Sequence, residues 1–270
     1  MKIFIHGTLL MGLNPCTVIK ESQFLGHGFV RAFLHDSGAL PQLMTGSGMV
    51  YGELYEIDNH KLKILDNTLK YYSQDPKGSL QVRRTVNVKL FHNGFFEKAD
   101  AYFYNQGFKK NTLIECGDYR RHLLEKEDMQ WYIAYGSNMS SLRLEKRIGK
   151  ACKIKKGYLK GYKLIFNKRA DTVSAYANIS YAGSDSYCPF AAYKIKKEQL
   201  YELDKYEGEP SQYVRIGFVF SDMNEKSLCM GQIYIANTKE LVQEKNPSPW
   251  YLKHIFQGYQ EHGFDTALLP

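Results

Sequence analysis

Two stretches of this chain repeat each other. A duplication limits the fold more than any other feature, because each copy must close a core of its own. Ile3-Phe4-Ile5-His6-Gly7-Thr8-Leu9 and Tyr132-Ile133-Ala134-Tyr135-Gly136-Ser137-Asn138 share one form, a short apolar strand running into a glycine and a hydroxyl residue. That form predicts a strand followed by a tight loop. In a second block, Tyr55-Glu56-Ile57 leads through Leu62 and Leu65 to Asp66, and Tyr193-Lys194-Ile195 leads through Leu200 and Leu203 to Asp204 with the same spacing. Leucines three apart share one helix face, so each block predicts a strand and then an amphipathic helix. Both copies return to β pattern over 81–88 and 213–220, and each ends in a tyrosine-containing strand, at 101–104 and 231–235. Many short β segments, with one or two helices per half and no alternation of strand with long helix, predict an α+β chain of two tandem domains. Each is expected to be a small mixed β-barrel with one or two helices. Gly117 to Asp128 reads as a terminal helix and a polar joint, which puts the domains at 1–128 and 129–270.

Composition narrows the function classes. With 44% apolar and 24% charged residues, 270 residues suffice for one or two ordinary cores. No stretch approaches the roughly 18 uncharged apolar residues of a spanning helix, so no membrane association is expected. His6, Gly7, Thr8 and Gly12 interrupt the first apolar run, so no export signal is expected either. Cys16, Cys116, Cys152, Cys188 and Cys229 are odd in number, scattered and without CxxC spacing, against both a disulfide framework and a zinc site. A reducing, cytoplasmic location fits. The net charge of +8 arises mainly after residue 130, where 20 basic residues face 14 acidic ones, against 16 and 14 before it. Apart from the run from Lys150 to Lys156 the basic residues are dispersed, as on a solvated surface. A basic nucleic-acid-binding protein remains an alternative, disfavoured because no aromatic-basic stacking motif or groove-reading helix stands out.

One difference between the copies matters, and it is in a titratable group. Glu207 follows Leu203-Asp204-Lys205-Tyr206, whereas Leu69 follows Leu65-Asp66-Asn67-Thr68. Glu207 precedes Gly208 and Pro210, so it sits where a helix stops and a turn begins, and a carboxyl there can enter a cavity and have its pKa raised by burial. The plain alternative is a solvated helix-end acid. Gly136 permits close approach of a ligand to the backbone, and consecutive N–H groups of the loop Tyr135-Gly136-Ser137-Asn138 can converge on a carboxylate, although such loops are also ordinary turns. Tyr213, Tyr234 and Tyr251 read by default as core residues.

The string Tyr132-Ile133-Ala134-Tyr135-Gly136-Ser137-Asn138-Met139, then Ala177-Asn178-Ile179, Ala192-Tyr193-Lys194-Ile195, Leu203-Asp204-Lys205-Tyr206-Glu207-Gly208 and Tyr213, resembles the γ-glutamylcyclotransferase family in residue type, order and spacing. Tyr234 and Asn246-Pro247-Ser248-Pro249-Trp250-Tyr251 look like that family's closing strand and substrate-side loop, so the resemblance runs over about residues 130–265. The first half resembles the neighbouring AIG2-like group through His6-Gly7-Thr8-Leu9, Tyr51-Gly52-Glu53-Leu54-Tyr55 and Gly117-Asp118-Tyr119-Arg120, but departs from it at His6, in place of the loop tyrosine, and at Leu69, in place of the acid.

The resemblance implies an enzyme that converts a γ-glutamyl amide or peptide to 5-oxoproline and a free amine, by attack of the substrate's own α-amine on its side-chain carbonyl. It assigns Glu207 as general acid/base, and Tyr132, Tyr135, Gly136, Ser137, Asn138, Tyr213, Tyr234 and Tyr251 to substrate binding. It implies a small γ-glutamyl substrate as the partner and needs no cofactor or metal. The first domain is then expected to be degenerate. A γ-glutamyl-ligand-binding protein without turnover is the alternative.

Overall fold

The structure, a computed structural model, describes residues 1–14, 17–38, 40–106, 112–223 and 227–270. The chain divides into two compact units, Met1–Leu90 with Phe95–His122, and Phe91–Gly94 with Leu123–Pro270.

The first unit runs β1 (Lys2–Ile5), a 3-10 turn at Gly7–Leu9, α1 (Thr17–Lys20), β2 (Gln23–Asp36), β3 (Gln42–Glu56), α2 (Asn59–Thr68), β4 (Gln81–Leu90), β5 (Phe96–Tyr104) and β6 (Thr112–Leu113), and α3 (Tyr119–Leu124) spans the division. Its strands lie in the order β3-β1-β5-β4-β2-β6, and β2 also pairs with β3, so β3, β1, β5, β4 and β2 close into a barrel. Pairing is antiparallel except between β1 and β5, where Ile3 lies opposite Asp100 in parallel register. The long β2–β3 hairpin bends around the barrel through register shifts at Phe24/Gly26 and Arg31/Phe33, as closure requires. Alternate residues turn inward, which buries Ile3, Ile5, Val30, Leu54 and Val88, and Leu65 of α2 joins them.

The second unit follows a similar plan, with four strands instead of two between its first two helices: β7 (Met129–Ala134), a 3-10 turn at Ser137–Met139, α4 (Ser141–Ile148), β8 (Lys153–Lys160), β9 (Tyr162–Arg169), β10 (Ala175–Tyr181), β11 (Tyr187–Lys196), α5 (Lys197–Glu207), β12 (Tyr213–Ser221), β13 (Leu228–Ala236) and α6 (Pro249–His262). A sheet β12-β13-β7-β11-β8 accompanies the hairpin β9–β10, and β7–β13 is again the parallel pair, with Ile133 opposite Ile233. The sheet's edges approach each other at Gly157: Met223 N–H donates to Lys156 O at 2.9 Å, and a Cβ on Gly157 would lie 2.6 Å from Ser221 O.

The duplication has a physical core that explains why the aspartates recur. In the first unit Asp66 on α2 accepts from Arg83 Nη1 at 3.0 Å and from Tyr102 Oη at 2.5 Å. In the second, Asp204 on α5 accepts from Arg215 Nε at 2.7 Å, Arg215 Nη2 at 2.8 Å and Tyr234 Oη at 2.6 Å. One carboxylate thereby ties the helix to two strands, and the bidentate arginine fixes its azimuth.

The segment expected as a loop at Asn246–Tyr251 becomes helix from Pro249. Ser248 caps it by accepting from Tyr251 N–H, and Pro249 occupies the first turn, where its missing N–H costs nothing. Among the described residues Cys116, Cys152, Cys188 and Cys229 are free thiols, while Cys16 lies outside them. No helix of the described residues is long and apolar enough to cross a membrane.

Candidate active site

β7 delivers Tyr132 and ends at Ala134, and the chain then turns through Tyr135-Gly136-Ser137-Asn138 into the 3-10 turn. Within this turn Met139 N–H donates to Gly136 O at 2.9 Å, while the N–H groups before it lie at the turn's open N-terminal end. The turn is clamped from behind, because the Met139 carbonyl accepts from Tyr193 Oη at 2.6 Å and lies 2.9 Å from His262 Nε2. α5 ends at Glu207, and Gly208 closes it in the left-handed conformation at φ 62°, which a glycine adopts without strain.

A cavity of about 300 Å³ is lined by Tyr132, Tyr135, Gly136, Ser137, Asn138, Ala177, Glu207, Tyr213, Tyr234 and Tyr251. Every residue to which the sequence assigned a role therefore faces one space. Their side chains differ in what they can do there. Asn138 Nδ2 donates to Glu207 Oε1 and to Tyr132 Oη, both at 2.9 Å. Four other tyrosine hydroxyls are committed to the walls. Tyr135 donates to Tyr234 O at 2.7 Å and Tyr213 to Ala177 O at 2.7 Å, Tyr251 Oη accepts from Ala177 N–H at 3.2 Å, and Tyr234 bonds Asp204. Gly136 faces Ala177 so closely that a Cβ would lie 3.1 Å from the alanine's Cβ and 3.6 Å from Tyr251 Oη.

Glu207 is the cavity's titratable carboxyl. Burial raises its pKa above the ordinary carboxylate range, and Arg147 and Asn138 partly offset that by stabilising the anion. Burial likewise raises the tyrosines of this cavity, Tyr251 to about 12, so their hydroxyls stay protonated near neutrality and serve as hydrogen-bonding groups rather than bases.

Three residues at this site were not singled out from the sequence. Arg147 Nη1 lies 3.0 Å from both Glu207 Oε1 and Asn138 Oδ1, and so ties the acid to the loop. Arg143, one turn earlier on α4, and Lys168 on β9 join Arg147 along an adjoining hollow of about 890 Å³ that opens to solvent. The arginines' i, i+4 spacing directly after the loop was the signal available, since it puts both on one face of α4.

The first unit holds a related cavity of about 370 Å³, with His6, Thr8, Leu9, Leu69, Gln81 and Tyr102 among its lining residues. His6 Nε2 lies 3.3 Å from Tyr102 O, the counterpart of the Tyr135–Tyr234 bond. Burial lowers the His6 pKa to about 4, so the imidazole is neutral and its Nε2–H donates to that carbonyl. Leu69 occupies the position of Glu207 and Leu9 that of Asn138, so both partners of the acid–amide hydrogen bond are replaced by apolar side chains.

A closed barrel in the first unit and a mixed five-stranded sheet in the second, with a strand–glycine–turn element facing a helix-end carboxyl there, define the structural class. Residues 3–121 match the family described as "Gamma-glutamyl cyclotransferase, AIG2-like", and residues 190–268 match the AIG2-like family. A Vibrio cholerae protein whose γ-glutamylcyclotransferase name is provisional is 30% identical over 122 residues, 43% of this chain and 93% of that protein. The γ-glutamylcyclotransferase family protein YtfP of Escherichia coli is 28% identical over 120 residues, 44% of this chain and 96% of its own. The crystal structure of YkqA from Bacillus subtilis superposes with a TM-score of 0.72 at 21% identity, over 96% of this chain and 91% of that one, and so shares the two-unit fold. The chain belongs to the γ-glutamylcyclotransferase, AIG2-like family.

Proposed function

We propose that the second unit is a γ-glutamylcyclotransferase that converts a γ-glutamyl amide or peptide to 5-oxoproline and a free amine, with Glu207 as its general acid/base. The observation that carries this reading is the position of Glu207, partly buried in the cavity that the Tyr135–Asn138 loop also lines and bonded to that loop through Asn138. The α-amine nitrogen attacks the side-chain carbonyl carbon to form the ring's C–N bond, and the C–N bond to the leaving amine breaks. Glu207 takes a proton from the attacking nitrogen and returns one to the leaving nitrogen, so no water or external reactant enters. A carboxyl with a raised pKa suits both directions of transfer near neutrality.

The cavity contributes chiefly by folding the substrate so that nitrogen and carbonyl meet at about 3 Å. The loop N–H groups would hold the glutamyl end, and the narrow gap between Gly136 and Ala177 would keep the chain against them. Tyr132, whose oxygen accepts from Asn138, keeps its own proton to donate to a carbonyl.

The test is release of 5-oxoproline from a panel of γ-glutamyl compounds by the full-length protein and by Glu207→Gln. The expected result is turnover that falls by roughly 10²–10⁴-fold in the variant. Tight binding of these compounds without any 5-oxoproline would favour the ligand-binding protein instead.

A further inference from the structure

The hollow outside the Glu207 cavity differs from it in charge. Arg143, Arg147, Lys168 and Lys205 line it, and among its described lining residues Glu207 is the acidic one. Two of the four cations are already engaged with carboxylates. Lys205 bonds Glu202 at 2.5 Å on the exposed face of α5, and Arg147 bonds Glu207. Lys168 is held by the Arg169 carbonyl at 2.8 Å and by the Gln212 side chain, with Tyr176 and Tyr213 against its ammonium.

Arg143 is different. Its guanidinium lies 5.1 Å from the centre of the Trp250 ring, its Nε is buried without a hydrogen-bond partner, and it forms no ion pair among the described residues. It also sits one helical turn from Arg147, so two like charges share the α4 face that looks into the hollow. Burial, and then the charge of Arg147, disfavour its protonated form. A guanidinium held on an aromatic face, with unused donors and a like charge beside it, is relieved by an anion.

Resting on the cyclotransferase reading of the inner cavity, we propose that this hollow receives the leaving part of the substrate and that Arg143, with Lys168, selects γ-glutamyl compounds whose leaving amine carries a carboxylate, as in γ-glutamyl amino acids and peptides, over γ-glutamyl amines. Glu207 lines both spaces, so the scissile bond lies at their junction, with the glutamyl end inward and the leaving amine outward. A cationic leaving group would enter against Arg143 and Lys168, neither of which has a carboxylate partner among the described residues. A carboxylate on a leaving group held in this hollow could accept from the Arg143 guanidinium, whose N–H groups can donate to it bidentately.

Three substrates with the same glutamyl end test this: γ-glutamyl-alanine, γ-glutamyl-ethylamine and γ-glutamyl-putrescine. The expected order of kcat/KM is carboxylate first, neutral second and cationic last. The first step should be about tenfold or more, as for loss of one charged hydrogen bond. In Arg143→Gln the ratio of γ-glutamyl-alanine to γ-glutamyl-ethylamine is expected to fall about tenfold through KM, and Arg143→Lys, which keeps the charge, should restore part of it. An equal loss on all three substrates would mean that Arg143 reads the glutamyl end or only supports the fold, and would overturn the proposal. So would a wild-type protein indifferent to the leaving group. Equilibrium binding of the same three compounds to the wild-type protein separates this result from a failure of the cyclotransferase reading. Preference for the carboxylate in Kd without turnover removes the reaction and keeps the anion site, whereas turnover without preference does the reverse.

Discussion

At the residue scale the decisive feature is a carboxyl that the fold holds in conflict. Burial disfavours ionised Glu207 while Arg147 and Asn138 favour it, and burial prevails. A group whose folded pKa lies above its unfolded value supports stability fully at low pH and loses that support as pH rises through the folded pKa. Glu207→Gln should therefore melt no lower than the wild type near pH 5 and gain relative to it toward pH 8, even as turnover collapses. Thermal melts at the two pH values check this, and a variant that loses ground as pH rises would contradict the assigned shift. Arg147 acts in the opposite sense. Its charge lowers the Glu207 pKa, so Arg147→Gln should move the acidic limb of the kcat/KM–pH profile to higher pH, and an unmoved limb would show that the ion pair does not set the acid. Glu207 was legible in the sequence because the duplicated copy supplies its own control at Leu69. Arg143 and Arg147 were not, because charged residues on a short helix read as a solvated face until the cavity beside them is seen.

At the scale of elements, most of the architecture was legible from period and repeat. Strand-to-loop at 132–138, strand-to-helix at 193–207 and the returning strands at 213–220 and 231–235 follow from alternation and from leucines three apart. What pattern cannot supply is pairing, such as the parallel β7–β13 contact that brings Tyr132 beside Tyr234, with ring centres 5.7 Å apart. Helix α6 escaped because Asn246-Pro247-Ser248-Pro249 carries loop residues, two of which are a cap and a first-turn proline. The latch on α5 is the element-level device that aims Glu207. Arg215 is 1% exposed, and Asp204, Gln232 and Glu125 all bond it. Asp204→Ala removes one partner and leaves a buried guanidinium under-compensated, a loss of about 3–5 kcal/mol for such pairs, which should appear as a clearly lower Tm. A Tm within a degree of the wild type would show that the neighbouring groups suffice. Gly136→Val is expected to act on affinity more than on stability, because the added methyl groups meet Ala177 across the cavity and not the core behind it. Calorimetry with a γ-glutamyl ligand should show weakened binding while the Tm stays near wild type, and unaltered affinity would remove the loop from the binding site.

At the scale of the whole molecule, the two units retain the same latch and differ in what their cavities contain. Residues 3–121 match the cyclotransferase family, yet no carboxyl is found among the described residues lining that unit's cavity. Leu69 and Leu9 cannot carry or relay a proton, and Gln81 stands where the second unit has Tyr213. His6 is the remaining titratable side chain of note, and burial holds its pKa to about 4. A base that weak is mismatched to an amine near neutral pH, and its Nε2–H is committed to Tyr102 O. Turnover by the full chain should therefore depend on the second unit alone. Glu207→Gln should abolish the 5-oxoproline signal to the extent expected for its acid, and adding His6→Ala should change nothing further. Leu69→Glu in the Glu207→Gln background should not restore activity, because the first unit has Leu9 where the second has Asn138, so the new carboxyl lacks the loop amide that binds Glu207. The same substitution should lower the Tm, since it replaces an apolar side chain by a carboxyl in a cavity wall that includes Phe4, Ile5 and Leu9. Turnover that persists in Glu207→Gln and disappears on adding His6→Ala would reverse the assignment and move the chemistry to the first unit.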